Sequence, residues 1–96
     1  MHARLTYVSV QPDNVDEAVS IYQGTVEALK GQPGFAGALL LGERGSGRSI
    51  SITLWESAEA EQASNQSGFY QEQLGRFAAL FTAQPDVESM EVLVQA

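Results

Sequence analysis

The stretch SISITLWESAEAEQ, residues 49–62, changes periodicity halfway and marks a strand followed by a helix. Up to Trp55 the residues alternate in character, as they do in a β-strand whose two faces differ. Ser51 and Thr53 share the face of Trp55, because successive side chains of a strand point to opposite sides of a sheet. The other face of this strand carries three branched aliphatic residues, Ile50, Ile52 and Leu54.

After Trp55 the alternation stops and helical signals begin. Ser57 is a favourable N-cap residue. Glu59 and Glu61 place negative charge in the first turns, where the helix dipole favours it. Trp55 therefore closes a strand directly before a helix, a position that suits both a ligand site and an aromatic core anchor.

The first third of the chain predicts a strand and a helix. Residues 3–11 are rich in β-branched and aromatic residues, and proline follows them. Asp13 or Asn14 can cap a helix that runs to about Lys30, with Gly31 placed as a left-handed C-cap. The helix buries one apolar stripe with spacings of three and four residues: Val15, Val19, Tyr22, Val26 and Leu29.

The remaining elements complete a repeated pattern. Residues 35–43 form a strand, and the Gly-rich segment 44–48 is a hairpin loop that leads into the strand ending at Trp55. The helical region 57–81 is interrupted at residues 65–68, and residues 87–95 form a last strand. The order βαββαβ predicts a ferredoxin-like α+β fold with a four-stranded antiparallel sheet, in one domain over residues 1–96.

Such a fold leaves one face of the sheet without helices. The aliphatic side chains of the strand that ends at Trp55 are expected on that bare face. Three branched aliphatic residues side by side form an apolar patch that monomeric proteins seldom expose. We therefore expect a homodimer in which the sheet faces pack against each other.

The composition excludes several classes of partner. Twelve acidic and five basic residues give a net charge of −7, and the basic residues are scattered. This argues against nucleic acid and anionic membranes, which require clustered cations. The absence of cysteine excludes disulfides and thiolate metal sites. Neither a signal peptide nor a membrane-spanning segment is indicated, so a cytoplasmic location is expected.

Three segments together resemble a known family. They are VSVQPDN (8–14), GQPGFAGALLL (31–41) and ITLWESAEAEQASNQSGFYQEQL (52–74). On these residues the chain resembles the antibiotic biosynthesis monooxygenase (ABM) family of dimeric α+β barrels, over nearly its whole length. The family contains anthrone and quinol oxygenases, haem-degrading enzymes and members of no assigned activity, so the likeness informs the fold more than the reaction.

The resemblance implies a pocket between the sheet and the helices of each subunit, with Trp55 in it or in its wall. It also implies cofactor-independent oxygenation of a small aromatic or quinol-type compound, in which hydrogen-bond donors hold the substrate anion. The ligand-pocket candidates are Trp55, Ser51, Thr53, Tyr7, Tyr70, Asn65, Glu61 and Phe69. Each of these residues also has an ordinary structural use, as a core, rim or turn residue.

The chain departs from the family's patterns at several positions. Anthrone-oxidising members have an asparagine where this chain has Ser51 and a tyrosine where it has Glu61. The axial histidine of haem-degrading members falls near Leu74 and their helical tryptophan near Ser64. The sole histidine, His2, lies at a terminus, which excludes haem ligation in that mode. No cofactor, metal set or catalytic residue is therefore assigned.

Three functions fit these residues. The first is a cofactor-independent monooxygenase, and the second is a module that binds an apolar or aromatic small molecule without changing it. The third is a dimeric structural protein whose interior is filled by its aromatic side chains. A cavity of about 300 Å³ or more beside Trp55 would distinguish the first two from the third.

Overall fold

A four-stranded antiparallel sheet with helices on one face forms the protein, as a computed structural model describes it for residues 1–96. The strand order is β2-β3-β1-β4, so the two central strands are β1 and β3. This arrangement confirms the predicted ferredoxin-like α+β fold. The elements are β1 (His2–Ser9), α1 (Val15–Leu29), β2 (Phe35–Glu43), β3 (Arg48–Trp55), α2 (Ala58–Gln66), α3 (Phe69–Phe77) and β4 (Asp86–Glu91).

The helix ends follow local signals in part. The Ser57 side chain caps α2 by accepting a hydrogen bond from the Ala60 N–H at 3.1 Å, as predicted. Asn14 precedes α1 without a side-chain cap, and a short 3₁₀ helix, Pro12–Asn14, leads into it. The expected left-handed cap at Gly31 is wrong: positive φ occurs instead at Gly34, directly before β2.

Two element ends differ most from the sequence prediction, and β1 also ends earlier, at Ser9 instead of residue 11. Helix α3 stops at Phe77, where the prediction continued to residue 81, because a turn follows and Phe81 forms an isolated bridge with Val10. Strand β4 ends at Glu91 instead of residue 95. The five residues beyond it are without regular structure, because Glu91 already pairs with His2, the first residue of β1, and β1 is the only neighbour of β4 in the sheet.

The two faces of the sheet differ sharply in what covers them. The face under the helices carries Trp55, which is 0% exposed and packs edge-on against Phe35 at a ring separation of 5.7 Å. The opposite face is open in the single chain, and there Leu39 and Leu41 remain 54% and 48% exposed. Cross-strand pairing places Ile50, Ile52, Leu54, Leu5 and Tyr7 in the same open layer.

Candidate functional site

A cavity of about 60 Å³ lies between the sheet and the helices α1 and α3. Inward-facing residues of β1, β2 and β3 form its floor, and no residue of α2 lines it. The lining is mainly apolar, with hydroxyl, amide and guanidinium groups among the aliphatic and aromatic side chains. The lining residues are Arg4, Thr6, Val8, Tyr22, Thr25, Leu29, Leu40, Ser51, Thr53, Phe69, Tyr70, Gln73, Leu74, Phe77 and Phe81.

Four of the predicted pocket candidates line this cavity. Ser51 and Thr53 reach it from β3, and Phe69 and Tyr70 reach it from the first turn of α3. The Ser51 hydroxyl donates a hydrogen bond of 3.0 Å to the Tyr22 hydroxyl on α1. The face of β3 expected from strand alternation is therefore the face that the structure turns toward the helices.

Trp55 lies behind the cavity rather than in its lining. Its indole N–H donates to the Thr53 hydroxyl at 2.9 Å, and the Arg4 guanidinium carbon lies 5.3 Å from its ring centre. Thr53 and Arg4 in turn line the cavity. The indole thus supports two lining residues and is itself a fully buried core residue.

Tyr7 lies on the wrong side of the sheet for the predicted role. It pairs with Ile50 across the strands and borders a groove of the open face together with Leu41. Its neighbours Thr6 and Val8 face the cavity instead. The strand alternation of β1 is the physical reason, because it places Tyr7 opposite to the inward-facing positions.

Asn65 and Glu61, both on α2, form a polar group beside the cavity. The Asn65 side-chain oxygen accepts a hydrogen bond from Nη1 of Arg4. Glu61 is 2% exposed, its Oε2 accepts from the Ser89 hydroxyl, and its Oε1 has no hydrogen-bond partner. Glu61 is buried although it lies near the start of its helix, because α2 turns this side chain toward the sheet.

Arg4 is the principal residue that sequence reasoning missed. Its side chain is 3% exposed, and its guanidinium carbon lies 4.1 Å from the ring centre of Tyr70. Burial lowers the pKa of Arg4, while the nearby Tyr70 and Glu61 act in the opposite direction. Arginine nevertheless remains protonated in proteins, so a positive charge borders the cavity. No signal in the sequence was sufficient for Arg4, because strand alternation groups it with Thr6 but does not show which side of β1 faces the helices.

The other polar groups of the cavity are mostly satisfied by the protein. The hydroxyls of Thr6 and Tyr70 share a hydrogen bond of 2.9 Å, and the Thr25 hydroxyl donates to the Gln73 side-chain oxygen at 2.9 Å. Burial raises the pKa values of Tyr22 and Tyr70, so both phenols are neutral near pH 7. The Gln73 amide N–H groups make no hydrogen bond with the protein.

The cavity lacks the nitrogen and sulfur ligands that commonly hold haem iron, and its two phenols, Tyr22 and Tyr70, are neutral and hydrogen-bonded to other side chains. Its lining contains no histidine, cysteine or methionine, and Leu74 offers no ligand atom at the position where the haem-degrading pattern requires one. No group of three or more histidine, cysteine, aspartate or glutamate residues could hold a metal ion. The residues present therefore do not fit a haem.

No helix has the length and apolar character needed to cross a membrane.

Fold and site together define an α+β protein with a small, mainly apolar cavity under its helical layer. The antibiotic biosynthesis monooxygenase family model matches residues 1–74. The chain belongs to this family.

The chain is also similar to known proteins in sequence and in fold. The uncharacterized protein Rv2557 of Mycobacterium tuberculosis is 35% identical over 97 residues, which cover 96% of this chain but 41% of that protein. The chain thus spans about two fifths of the length of this relative. Solved structures of lower identity indicate the fold alone.

Two solved structures have the same fold. The first is a mutant of SnoaB, a cofactor-independent oxygenase from Streptomyces nogalater, with 18% identity, a TM-score of 0.77 and coverage of 98% of this chain and 94% of that one. The second is a mutant of MhuD with two manganese protoporphyrin IX molecules bound per active site. It has 24% identity, a TM-score of 0.79 and coverage of 100% of this chain and 98% of that one.

Proposed function

We propose that the protein is a cofactor-independent monooxygenase of a small phenolic or quinol-type aromatic compound. The observation that carries this proposal is the apolar cavity under α3, which combines aromatic walls with the hydrogen-bond donors Arg4 and Gln73. Family membership and the fold shared with the oxygenase SnoaB support it. Trp55 contributes by holding Thr53 and Arg4 in place.

The chemistry places few demands on the protein. An ionised phenol transfers an electron to dioxygen, and the protein excludes water and stabilises the anion. When a CH2 group next to the ring becomes a carbonyl, one oxygen atom enters the substrate and the other leaves as water. The substrate supplies all four electrons, so no external reductant is required.

Oxygen uptake tests the proposal. With menadiol or an anthrone under air, we expect uptake above the rate of uncatalysed autoxidation and no product without oxygen. Tyr70→Phe should lower the rate, because Tyr70 lines the cavity and its hydroxyl hydrogen-bonds to Thr6, another lining residue. Tyr7→Phe is the matched control, since Tyr7 lies on the opposite face of the sheet. Uptake equal to autoxidation across a modest panel of such compounds contradicts the proposal.

The size of the cavity favours a second candidate function, a non-catalytic binding or structural protein. Ligand pockets typically measure about 300–1,000 Å³. The cavity has about 60 Å³, room for a few water molecules, and Trp55 does not line it. Saturable quenching of the single tryptophan's fluorescence by aromatic compounds, without product, would favour binding alone. Absence of any response would favour a filled structural core.

We infer further that two copies pack through their open sheet faces. Leu39, Leu41 and Met90 are about half exposed in the single chain, in the same layer as the aliphatic residues of β3. An apolar face of this kind requires cover. A second copy supplies a complementary apolar face, because a two-fold axis brings the same patch of each chain together.

A further inference from the structure

The cavity has a charge opposite to that of the chain as a whole. The chain carries a net charge of −7, yet no aspartate or glutamate is among the fifteen residues that line the cavity. Arg4 is the only ionised side chain in the lining. A low-dielectric site with one positive group attracts anions, because the Coulomb energy there is larger than in water.

Arg4 lacks the partner that a buried cation ordinarily has. Three ion pairs occur in the protein, all on its surface, and none involves Arg4. Its side chain makes one hydrogen bond, from Nη1 to Asn65. Glu61 lies beyond ion-pair distance and is bound by Ser89. Glu61 offsets the buried charge of Arg4 only in part, because it acts from beyond ion-pair distance, so an anion bound by Arg4 would lower the remaining free-energy cost.

The aromatic rings beside Arg4 restrict its orientation, and apart from the Nη1 bond to Asn65 its guanidinium N–H groups have no partner in the protein. The guanidinium carbon lies 4.1 Å from the ring centre of Tyr70 and 5.3 Å from that of Trp55. A guanidinium that lies against aromatic faces keeps its in-plane N–H groups available for planar acceptors. Gln73, one turn beyond Tyr70 on α3, adds amide donors that the protein does not use.

We propose that Arg4 is a specificity-determining residue that binds the anionic oxygen of a single-ring phenol or enol in this cavity. This inference deepens the proposed function and rests on it. The cavity lining supplies no histidine or carboxylate base. Arg4 compensates by stabilising the phenolate, so that the phenol O–H bond breaks, its electron pair stays on the oxygen and the proton passes to water. The cavity of about 60 Å³ is smaller than an aromatic ring, so α3 must move to admit the ligand, and a single ring requires the smallest movement.

Paired probes of equal shape test the inference without turnover. 4-Nitrophenol and 4-nitrotoluene have similar sizes. Ionised nitrophenol absorbs visible light, whereas neutral nitrophenol is colourless. Calorimetry at a pH where free nitrophenol is ionised should show at least about tenfold tighter binding than for nitrotoluene. The pKa of bound nitrophenol, read from its absorbance, should fall by about one unit or more. Equal affinities, an unchanged or raised pKa of the probe, or no binding of either probe overturns the inference.

Variants of Arg4 test whether this residue is the source of the preference for the phenolate over nitrotoluene. Arg4→Gln should lose at least about tenfold of the preference for the phenolate, whereas Arg4→Lys should retain part of it. Arg76→Gln is the matched control, because Arg76 is exposed on α3 and does not line the cavity. Near-ultraviolet circular dichroism verifies folding. If Arg4→Gln does not fold, the affinities of the two probes for the unaltered protein and for Arg4→Lys decide whether Arg4 binds the phenolate. A preference retained in folded Arg4→Gln overturns the assignment.

The outcomes separate this inference from the proposed function. Phenolate preference without oxygen uptake contradicts the oxygenase and leaves the anion site intact. Oxygen uptake without phenolate preference contradicts the role of Arg4 and leaves the oxygenase intact.

Discussion

At the residue scale, Arg4 connects several of the side chains beneath the helices into one cluster. Arg4 contacts the rings of Trp55 and Tyr70 and donates to Asn65, while the Trp55 indole donates to Thr53. Because buried polar groups are costly when they lack partners, these contacts fix the positions of the side chains around the cavity.

Gly47 is required by the backbone at the β2–β3 hairpin. Its φ is +77°, and a Cβ there would overlap the Val10 carbonyl. We expect Gly47→Ala to lower the free energy of unfolding by about 1–3 kcal/mol, because strain adds to the clash. Gly45→Ala is the matched control in the same loop, since a Cβ there meets nothing within 4 Å. Urea unfolding at fixed protein concentration measures both, and equal losses contradict the argument.

Tyr22 makes stability depend on alkaline pH. Burial raises its pKa above 10.0, while the Ser51 hydrogen bond and Arg4 oppose the shift. An unfolded tyrosine loses its proton near pH 10 and the folded one does not, so the unfolded state binds fewer protons and the free energy of unfolding falls as pH rises above about 10. The stabilising effect is complete below that pH.

Tyr22→Phe tests this linkage. The variant should lose less of its free energy of unfolding than the unaltered protein between about pH 9 and pH 11, because phenylalanine cannot ionise. Denaturant titrations at a series of pH values give the two slopes. An alkaline loss as steep as that of the unaltered protein would show that Tyr22 is not its source.

At the element scale, α2 and α3 contribute to the site in different ways. Helix α3 supplies aromatic, aliphatic and amide side chains to the cavity wall. Helix α2 lines none of the cavity but holds Arg4 from behind through Asn65. The break between them at Gly68, with φ of +84°, lets the two short helices take these separate roles.

The start of α2 depends on the Ser57 cap. Its hydroxyl accepts from the Ala60 N–H, which would otherwise lack a partner at the helix end. Ser57→Ala should lower the free energy of unfolding by about 1 kcal/mol, whereas Ser57→Asp should retain most of it, because aspartate is also a good N-cap. Urea unfolding measures both variants. A loss in Ser57→Asp equal to that in Ser57→Ala would contradict a capping role.

At the scale of the whole molecule, the open sheet face is the surface through which we propose that two copies pack. We expect light scattering at micromolar concentration to give the mass of two chains. Leu39→Glu should convert it to the mass of one, because Leu39 lies on the open face and a buried unpaired carboxylate is costly. Gln23→Glu is the matched control, with the same change of charge at an exposed position of α1. A single-chain mass for the unaltered protein contradicts the dimer.

Local patterns were sufficient for the order of the elements and for the faces of β3. The alternation around Trp55, the Ser57 cap and the helical stripe from Val15 to Leu29 each involve residues close in the chain, so the sequence carries their signal directly. The bounds of β2 were predicted residue for residue for the same reason. The last strand ends early because its length depends on its neighbour β1, which the local pattern does not describe.

The sequence by itself thus determined the fold, the family likeness and which side of β3 faces the helices. Only the tertiary structure decided that Arg4 lies inside, that Glu61 is buried and that Tyr7 faces away from the cavity. In β1 the larger apolar residues Leu5 and Tyr7 lie on the open face, while Arg4 and Thr6 lie under the helices. Side-chain character therefore misidentifies the inner face, and strand pairing alone sets it.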